Sequence, residues 1–294
     1  MKIPDLVSET NFSGADKLAY GKCKVVFIPV PFDGTASYKK GTARAPRAII
    51  DASMYLEWFD EELVFEPASL GFCTLKMLPS RGRKPEEIAN SVEKIVSQVI
   101  EDGKFPFILG GEHSISAGAF AALKQKIGGF TVLQFDAHTD LRDEYEGSKY
   151  SHACVMRRAL DLGLGIVQVG VRSLPVENHE WMQKNMAGVK TFYAKDKAEW
   201  KISEIIAACG KKVYVSFDVD AFDSSIMPAT GTPEPGGIAW ADAMAILREV
   251  GSKREIIGAD VMELLPTPGL HACDFLAAKL AYKIIGYSFA RLRR

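Results

Sequence analysis

The sequence is organised by short apolar runs that recur along its 294 residues. Each run is about four to eight residues long, rich in β-branched side chains, and apolar at nearly every position rather than at alternate ones. This pattern is typical of strands buried on both faces, because helices cover both sides of a parallel sheet. Seven such strands are predicted, at residues 23–31, 105–111, 130–138, 165–171, 189–194, 212–220 and 255–264.

Segments with helical periodicity lie between these runs. Residues 84–103 have Pro85 at the expected first turn, two acidic residues directly after it, and an apolar stripe along one face. Similar patterns recur at residues 114–129, 238–251 and 271–292. Because strands that alternate with helices build a parallel sheet with helices on both faces, we predict a doubly wound α/β fold. We expect it to form a single domain over residues 1–294.

Charge and cysteine content limit the partners of the chain. It has 36 lysine and arginine residues against 37 aspartate and glutamate residues, so no basic excess exists to neutralise nucleic-acid or lipid phosphates. No apolar run approaches the roughly 20 residues that span a bilayer, and residues 1–14 lack the apolar core of a signal peptide. The five cysteines include no C-x-x-C pair, which is typical of free thiols in a reducing compartment. We predict a cytoplasmic protein that binds neither nucleic acid nor membrane.

Ionisable residues follow four of the predicted strands, at the end where parallel α/β sheets place their sites. Residues at alternate positions of an extended segment point to the same side, so each group should present its side chains to one place. The residues are His113; Asp136, His138 and Asp140; Asp218 and Asp220; and Glu263.

Carboxylates gathered in this way would repel one another unless cations neutralise them. Six ligands of this kind suit two metal ions, about 3.5–4 Å apart and sharing bridging carboxylates, better than they suit a single ion. Four aspartates and two histidines without a cysteine suit Mn²⁺ better than a thiolate-preferring metal, with Zn²⁺ as an alternative. One pair alone, such as Asp218 and Asp220, could be a helix cap, but the joint occurrence at separate strand ends favours a metal centre.

Four motifs resemble those of the ureohydrolases, the family of arginases and agmatinases. GGEHS (110–114), FDAHTD (135–140), SFDVDAFD (216–223) and PATGTPEPGG (228–237) stand in the family's order, and the likeness extends from about Val25 to the C-terminal helix. The resemblance implies a three-layer α/β/α sandwich with a mostly parallel central sheet. It also implies two Mn²⁺ ions per chain, hydrolysis of a guanidino compound to urea and an amine, and a homotrimer or homohexamer.

The resemblance further implies a role for each site residue. Asp140 would both bind a metal ion and orient the attacking water. His152 falls where the family has its proton-transferring histidine, Glu263 where a carboxylate pairs with the substrate guanidinium, and Thr232 where a hydroxyl helps to hold that group. The metal ligands would be His113, Asp136, His138, Asp140, Asp218 and Asp220.

Three other residues have no assigned role. His179 and His271 match no position of the family; we expect His179 to be exposed and His271 to lie in a loop. Cys154 follows His152 closely, but a metal-activated water makes a thiol nucleophile unnecessary, so we expect a buried thiol.

The segment after FDAHTD bears on the substrate. Arginases usually have an asparagine soon after this element, whereas residues 141–146 read LRDEYE here. An acid-rich rim suits a substrate whose far end is an ammonium, so we predict agmatine, with putrescine and urea as products of a step in polyamine biosynthesis. Arg142 could instead bind a carboxylate, which leaves arginine or a guanidino acid such as guanidinobutyrate as the alternative. A third alternative is a single-zinc deacetylase of related fold, in which His113 and Asp140 would have no metal role.

Overall fold

The computed structural model describes residues 3–185 and 188–290, and its centre is an eight-stranded parallel sheet. The strands lie in the order β2-β1-β3-β8-β7-β4-β5-β6, so that β2 and β6 are the edges of an open sheet. They are β1 (Val25–Val30), β2 (Phe72–Thr74), β3 (Phe105–Gly110), β4 (Thr131–Phe135), β5 (Gly165–Val171), β6 (Val189–Tyr193), β7 (Lys212–Asp218) and β8 (Glu255–Met262).

Helices cover both faces of this sheet, as the sequence predicts. Helices α1, α6, α7 and α8 pack on one face, and α2, α3 and α4 pack on the other, with α5 partly buried against that second layer. They are α1 (Ala45–Ser53), α2 (Pro85–Glu101), α3 (Ser116–Ile127), α4 (Val155–Asp161), α5 (Val176–Lys184), α6 (Ile202–Ala208), α7 (Trp240–Lys253) and α8 (His271–Ala290). The three-layer α/β/α sandwich with a parallel central sheet is therefore confirmed.

The continuous apolar character of the strands has a direct structural cause. In β3, Phe107 and Leu109 belong to the core on one face of the sheet, while Ile108 between them belongs to the core on the other face. All three side chains are fully buried. Each such burial stabilises the fold by roughly 1.5–3 kcal/mol relative to exposure, so both faces of the strand must be apolar.

The sequence-based predictions of elements are confirmed where the pattern is long. Each of the seven predicted runs contains a strand, and α2 begins at Pro85 as predicted. Strand β2 escaped prediction because three residues, FCT, are too few to show a period. His271 is the first residue of α8, so the predicted helical pattern of residues 271–292 is confirmed at its start, and the expectation that His271 lies in the preceding loop was wrong. No helix within the described ranges is long and apolar enough to cross a membrane.

The order of the strands explains why distant motifs meet. Strands β3, β8, β7 and β4 are consecutive neighbours in the middle of the sheet. These are the four strands that precede the ionisable groups, and parallel pairing brings all their carboxyl ends to the same edge.

Candidate metal centre

Three carboxylates surround the imidazole of His113, just beyond the end of β3. Its Nδ1 atom lies 3.1 Å from an oxygen of Asp136, 3.2 Å from one of Asp140 and 3.4 Å from one of Asp218. This nitrogen is buried and has no hydrogen-bond partner among the described residues. A buried imidazole nitrogen that faces three carboxylates is stable only when a cation or a proton lies between them.

A second group forms around His138. Its Nδ1 atom lies 2.9 Å from an oxygen of Asp220 and 3.6 Å from Oδ1 of Asp136. Within each group, one candidate ligand atom per residue lies within 4.8 Å of the others; the groups are His113, Asp136 and Asp140, and Asp136, His138 and Asp220. Asp136 belongs to both groups, and a carboxylate shared between two sites is what a pair of metal ions requires.

Backbone amides bind one carboxylate oxygen of Asp218 and one of Asp220. The N–H of Asp220 donates to Oδ1 of Asp218 at 2.8 Å, and the N–H of Ala137 donates to Oδ1 of Asp220 at 2.9 Å. The other oxygen of each aspartate faces an imidazole. Both carboxylates are thus fixed in orientation before any cation arrives.

The excess of negative charge shifts the proton affinities of the cluster. Burial, reinforced by Asp136, raises the pKa of Asp140 to about 6. Burial and then the neighbouring Asp220 carboxylate raise the pKa of Asp218 well above its usual value. Burial alone would lower the pKa of His138, but Asp220 and Asp136 outweigh it and raise that pKa to about 12. The cluster therefore attracts positive charge strongly, and the residues present fit a pair of divalent cations.

A buried polar chain orients the ring of His113 from behind. Its Nε2 atom lies 2.8 Å from the hydroxyl oxygen of Ser216, and that hydroxyl donates to Asp260 at 2.9 Å. Asp260 is fully buried and also accepts a hydrogen bond from the Tyr214 hydroxyl at 2.9 Å. Such contacts to the far nitrogen of a histidine fix which nitrogen faces a metal. No motif in the sequence predicts them.

Two site carboxylates have left-handed backbone conformations. Asp140 has φ of 52° and Glu263 has φ of 65°, a region that non-glycine residues occupy at some cost in energy. The Asp140 carbonyl accepts the N–H of Met156 in the first turn of α4, and the Glu263 N–H donates to the Gly111 carbonyl. Gly111 is required there, because a Cβ atom would lie 2.0 Å from the Phe32 carbonyl oxygen.

The cluster lies at the bottom of a cleft with a volume of about 360 Å³. His113 and Asp136 are buried behind it. Glu263 accepts the N–H of His113 at 2.6 Å. Burial and the neighbouring Glu112 raise the pKa of Glu263, so a cationic ligand would favour its ionised form. The predicted site residues that line the cleft are His138, Asp140, His152, Asp218, Asp220, Thr232 and Glu263.

His152 enters the cleft from the single turn His152–Cys154 that precedes α4. Its Nδ1 atom lies 3.2 Å from the hydroxyl oxygen of Thr35, and its ring contacts the ring of Tyr145 edge-on at 6.0 Å. Burial, followed by the charge on His138, lowers the pKa of His152 to about 4. The imidazole is therefore neutral at neutral pH, which leaves one nitrogen able to accept a proton.

The thiol of Cys154 and the side chain of His179 are where the sequence analysis expected them. Cys154 is fully buried, and burial raises the pKa of its thiol to about 11, so the nucleophilic thiolate is disfavoured. His179 is exposed on α5. Neither residue lines the cleft within the described ranges.

The acid-rich segment after FDAHTD does not form the expected rim. Among the described residues, those that line the cleft include none of the acidic residues at 143–146. Asp143 instead binds Arg158 at 2.7 Å. Lys39 and Arg142 line the outer cleft, with the Arg142 guanidinium 5.0 Å from the centre of the Tyr145 ring. The expectation failed because side chains in an irregular loop follow no period that the sequence reveals.

Arg172 joins two segments of the site and was missed by the sequence analysis. Its guanidinium donates to the carbonyls of Asp220 at 2.7 Å and Glu234 at 2.8 Å. It thereby ties the turn that carries Asp220 to the loop that carries Thr232. The position of Arg172 directly after β5, at a strand end, is the one signal that could have pointed to it.

Comparison with known proteins places these features in a family. The model of the arginase family matches residues 23–286. The N(1)-aminopropylagmatine ureohydrolase of Synechocystis sp. is 37% identical over 278 residues, which cover 92% of this chain and 90% of the relative. The agmatinase of Pyrococcus horikoshii is 33% identical and covers 90% of this chain and 91% of its own length. The crystal structure of the agmatine ureohydrolase of Thermoplasma volcanium, 34% identical, superposes with a TM-score of 0.87 over 98% of this chain and 97% of that one.

Proposed function

The chain belongs to the arginase family and is a hydrolase of the agmatinase type, and we propose its substrate from there. We propose that it cleaves agmatine to putrescine and urea. The observation that carries the hydrolysis of a guanidino group is the pair of histidine–aspartate groups that share Asp136, with the carboxylate of Glu263 beside them. Agmatine as the substrate is supported by the agmatinases among the relatives. The deacetylase alternative is set aside, because the matched family is that of the arginases and His113 and Asp140 both lie within the cluster.

Members of the family depend on two metal ions, and we propose Mn²⁺ for this chain. The oxygen-rich ligand set with two imidazoles supports that choice over a thiolate-preferring metal. Two bound divalent ions would lower the pKa of a shared water and so supply the nucleophile at neutral pH. The proposed ligands are His113, Asp136, His138, Asp140, Asp218 and Asp220.

We propose that Glu263 binds the substrate guanidinium. One of its oxygens is held by the N–H of His113, and no other described residue is bonded to the carboxylate, so the second oxygen is available to the substrate. Charge-assisted hydrogen bonds from a planar guanidinium to a carboxylate are strong and fix its orientation. Thr232 lines the same cleft and can supply a hydroxyl acceptor to another N–H of that group.

The remaining steps fall to Asp140 and His152. We propose that Asp140 orients the attacking water with the oxygen that does not face His113. The amine that leaves must be protonated as the bond from carbon to nitrogen breaks. His152 is neutral and lines the cleft, so it can take up a proton and pass it to that amine.

A second substrate is favoured by the comparisons. Several relatives, including the one 37% identical, are named N(1)-aminopropylagmatine ureohydrolase. That compound shares with agmatine a guanidinium at the end of a chain that bears an amine. The cleft has a volume of about 360 Å³ and its lining extends from the cluster to Lys39 and Arg142, which supports a ligand longer than the guanidinium alone. We therefore keep N(1)-aminopropylagmatine as the second candidate.

Urea release is the experiment that tests the proposal. Agmatine, N(1)-aminopropylagmatine, arginine and guanidinobutyrate are compared by kcat/KM in the presence of Mn²⁺. We expect one of the two amines to exceed both acids by at least tenfold. A preference for arginine or guanidinobutyrate would overturn the substrate assignment and would indicate that Arg142 binds a carboxylate. Absence of urea from all four would overturn the proposed function.

Three further properties stay predictions. Family members are oligomeric, and we propose a homotrimer or homohexamer, which light scattering would report as three or six times the chain mass of 32.2 kDa. We also propose a cytoplasmic location and a place in polyamine biosynthesis, where the product amine would be putrescine.

A further inference from the structure

Glu112 is a fully buried carboxylate for which the proposed reaction has no use. It lies in the GGEHS motif but belongs to neither candidate metal group. Its carboxylate accepts the backbone N–H of Thr35 at 2.6 Å, the Thr35 hydroxyl at 2.6 Å and the Ser114 hydroxyl at 2.5 Å. A buried carboxyl group needs such partners, and two of the three hydrogen bonds come from one residue 77 positions away. Glu112 therefore holds the loop after β1 at Thr35.

Thr35 in turn contacts His152. Its hydroxyl oxygen accepts the backbone N–H of His152 at 3.0 Å and lies 3.2 Å from the Nδ1 atom of the same residue. Ser151 offers a weaker contact, with its hydroxyl oxygen 3.4 Å from that nitrogen. Thr35 does not line the cleft, whereas His152 does. The Thr35 hydroxyl is therefore outside the cleft, and the residue lining the cleft that it bonds to is His152.

The number of protons decides the direction of these hydrogen bonds. A threonine hydroxyl has one proton, and here that proton points to Glu112, whose two oxygens accept hydrogen bonds from three donors. The lone pairs of the Thr35 oxygen then face His152, so the Nδ1 atom must carry the proton of the neutral ring. The hydrogen bond made by one ring nitrogen sets the state of the other, and Nε2 is thus the unprotonated nitrogen.

We propose that Thr35 is a positioning residue that holds the ring of His152 with Nδ1 protonated and Nε2 free to exchange a proton in the cleft, and that Glu112 fixes Thr35 for this task. The proposal rests on the proposed function, in which His152 protonates the leaving amine. It adds the residues that set the orientation and the protonated nitrogen of the imidazole.

Kinetics of the Mn²⁺-loaded enzyme test the proposal. Thr35→Val keeps the shape but removes the hydroxyl, so we expect kcat to fall about tenfold or more, with KM and metal content unchanged. Thr35→Ser restores the hydroxyl and should recover most of kcat. Thr10→Val makes the same change at a threonine that does not line the cleft; it is the matched control and should change kcat less than twofold. An unchanged kcat in Thr35→Val, a serine variant as slow as the valine variant, or an effect confined to KM would overturn the proposal.

A measurement that needs no activity separates this proposal from the proposed function. The protein is labelled with ¹⁵N-histidine, loaded with diamagnetic Zn²⁺ and studied by NMR at pH 8, with His152 assigned through its loss in His152→Asn. We expect protonated Nδ1 in the wild type and a shift towards protonated Nε2 in Thr35→Val. Protonated Nε2 already in the wild type would overturn the proposal even if urea is released. Protonated Nδ1 in a protein that releases no urea would support the contact with Thr35 and refute only the reaction.

Discussion

Asp136 is the residue on which the two candidate metal groups depend. Its Oδ2 atom faces His113 and its Oδ1 atom faces His138, and it accepts hydrogen bonds from the His138 N–H and from the side chain of Gln134. Burial alone would raise the pKa of Asp136, but the two imidazoles lower it. Asp136 therefore remains ionised at neutral pH, as a carboxylate shared between two metal ions would have to be.

Removal of the imidazole of His152 tests the proton-transfer role. His152→Ala should lower kcat by roughly 10²–10⁴-fold, the usual contribution of a general acid or base, because the leaving amine loses its proton donor. Metal content should not change, because His152 belongs to neither group around the shared aspartate. Steady-state kinetics and metal analysis are carried out on the same preparation. His179→Ala, at an exposed position, is the control, and loss of metal from the His152 variant would show that its role was misassigned.

Residues of the site could be predicted to different extents. The six proposed ligands and Glu263 could be found because each follows a strand pattern and strand ends are where parallel sheets place sites. The roles of Thr35 and Glu112 could not be predicted, because the contacts are distant in sequence. Thr35 is 77 positions from Glu112 and 117 positions from His152. The left-handed conformations of Asp140 and Glu263 could not be predicted either, because positive φ has a strong sequence signal at glycine and only a weak one at a carboxylate.

Helix α8 is fastened to the rest of the fold by a buried ion pair. Lys283, only 4% exposed, donates to both oxygens of Asp60 at 3.0 and 2.9 Å and to Glu62 at 3.0 Å. Asp60 is fully buried in the segment between α1 and β2. Helix α8 packs in the same core as the strands that carry the site, so this ion pair helps to hold α8 against the sheet.

Loss of that lysine should destabilise the protein strongly. Lys283→Met leaves the buried Asp60 carboxylate without its cation, which typically costs about 3–5 kcal/mol. The free energy of unfolding is measured with urea at pH 7. Lys279→Met, on the same helix and without an ion pair among the described residues, should cost less than about 1 kcal/mol. Equal losses in the two variants would contradict the importance of the pair.

Glu62 should make part of this stability dependent on pH. Burial alone would raise its pKa, but hydrogen bonds from Arg248, Tyr287 and Lys283 lower it from 4.5 to about 2. A carboxyl whose pKa is lower in the folded state contributes stability that is complete above pH 4.5 and declines as the pH falls towards 2. The difference in unfolding free energy between wild type and Glu62→Gln should therefore shrink from pH 6 to pH 3. A constant difference across that range would contradict the lowered pKa.

Elements were predictable where their patterns were long. The seven apolar runs gave strands, and the strong amphipathic pattern of residues 84–103 gave α2, because a buried face imposes a period that several turns repeat. Helices α4 and α6, each seven residues long, show too little of a period to be recognised. These two helices are stabilised by packing on the sheet, and such tertiary contacts cannot be read from a local sequence pattern.

At the scale of the whole molecule, the order of strands is what creates the site. The four strands whose ends carry the cluster are separated by long stretches of chain yet lie side by side in the sheet. Neither periodicity nor composition fixes that order. The resemblance of four motifs to one family predicted that these strand ends meet at one metal centre, and the parallel pairing of β3, β8, β7 and β4 brings them together.

The number of metal ions bound per chain tests the central claim most directly. The protein is saturated with Mn²⁺, freed of excess metal by gel filtration, and analysed for manganese by mass spectrometry against protein concentration. We expect about two ions per chain in the wild type and fewer than one in Asp136→Asn, because both groups share that carboxylate. One ion or none per wild-type chain would contradict the account of a paired metal centre at the ends of these four strands.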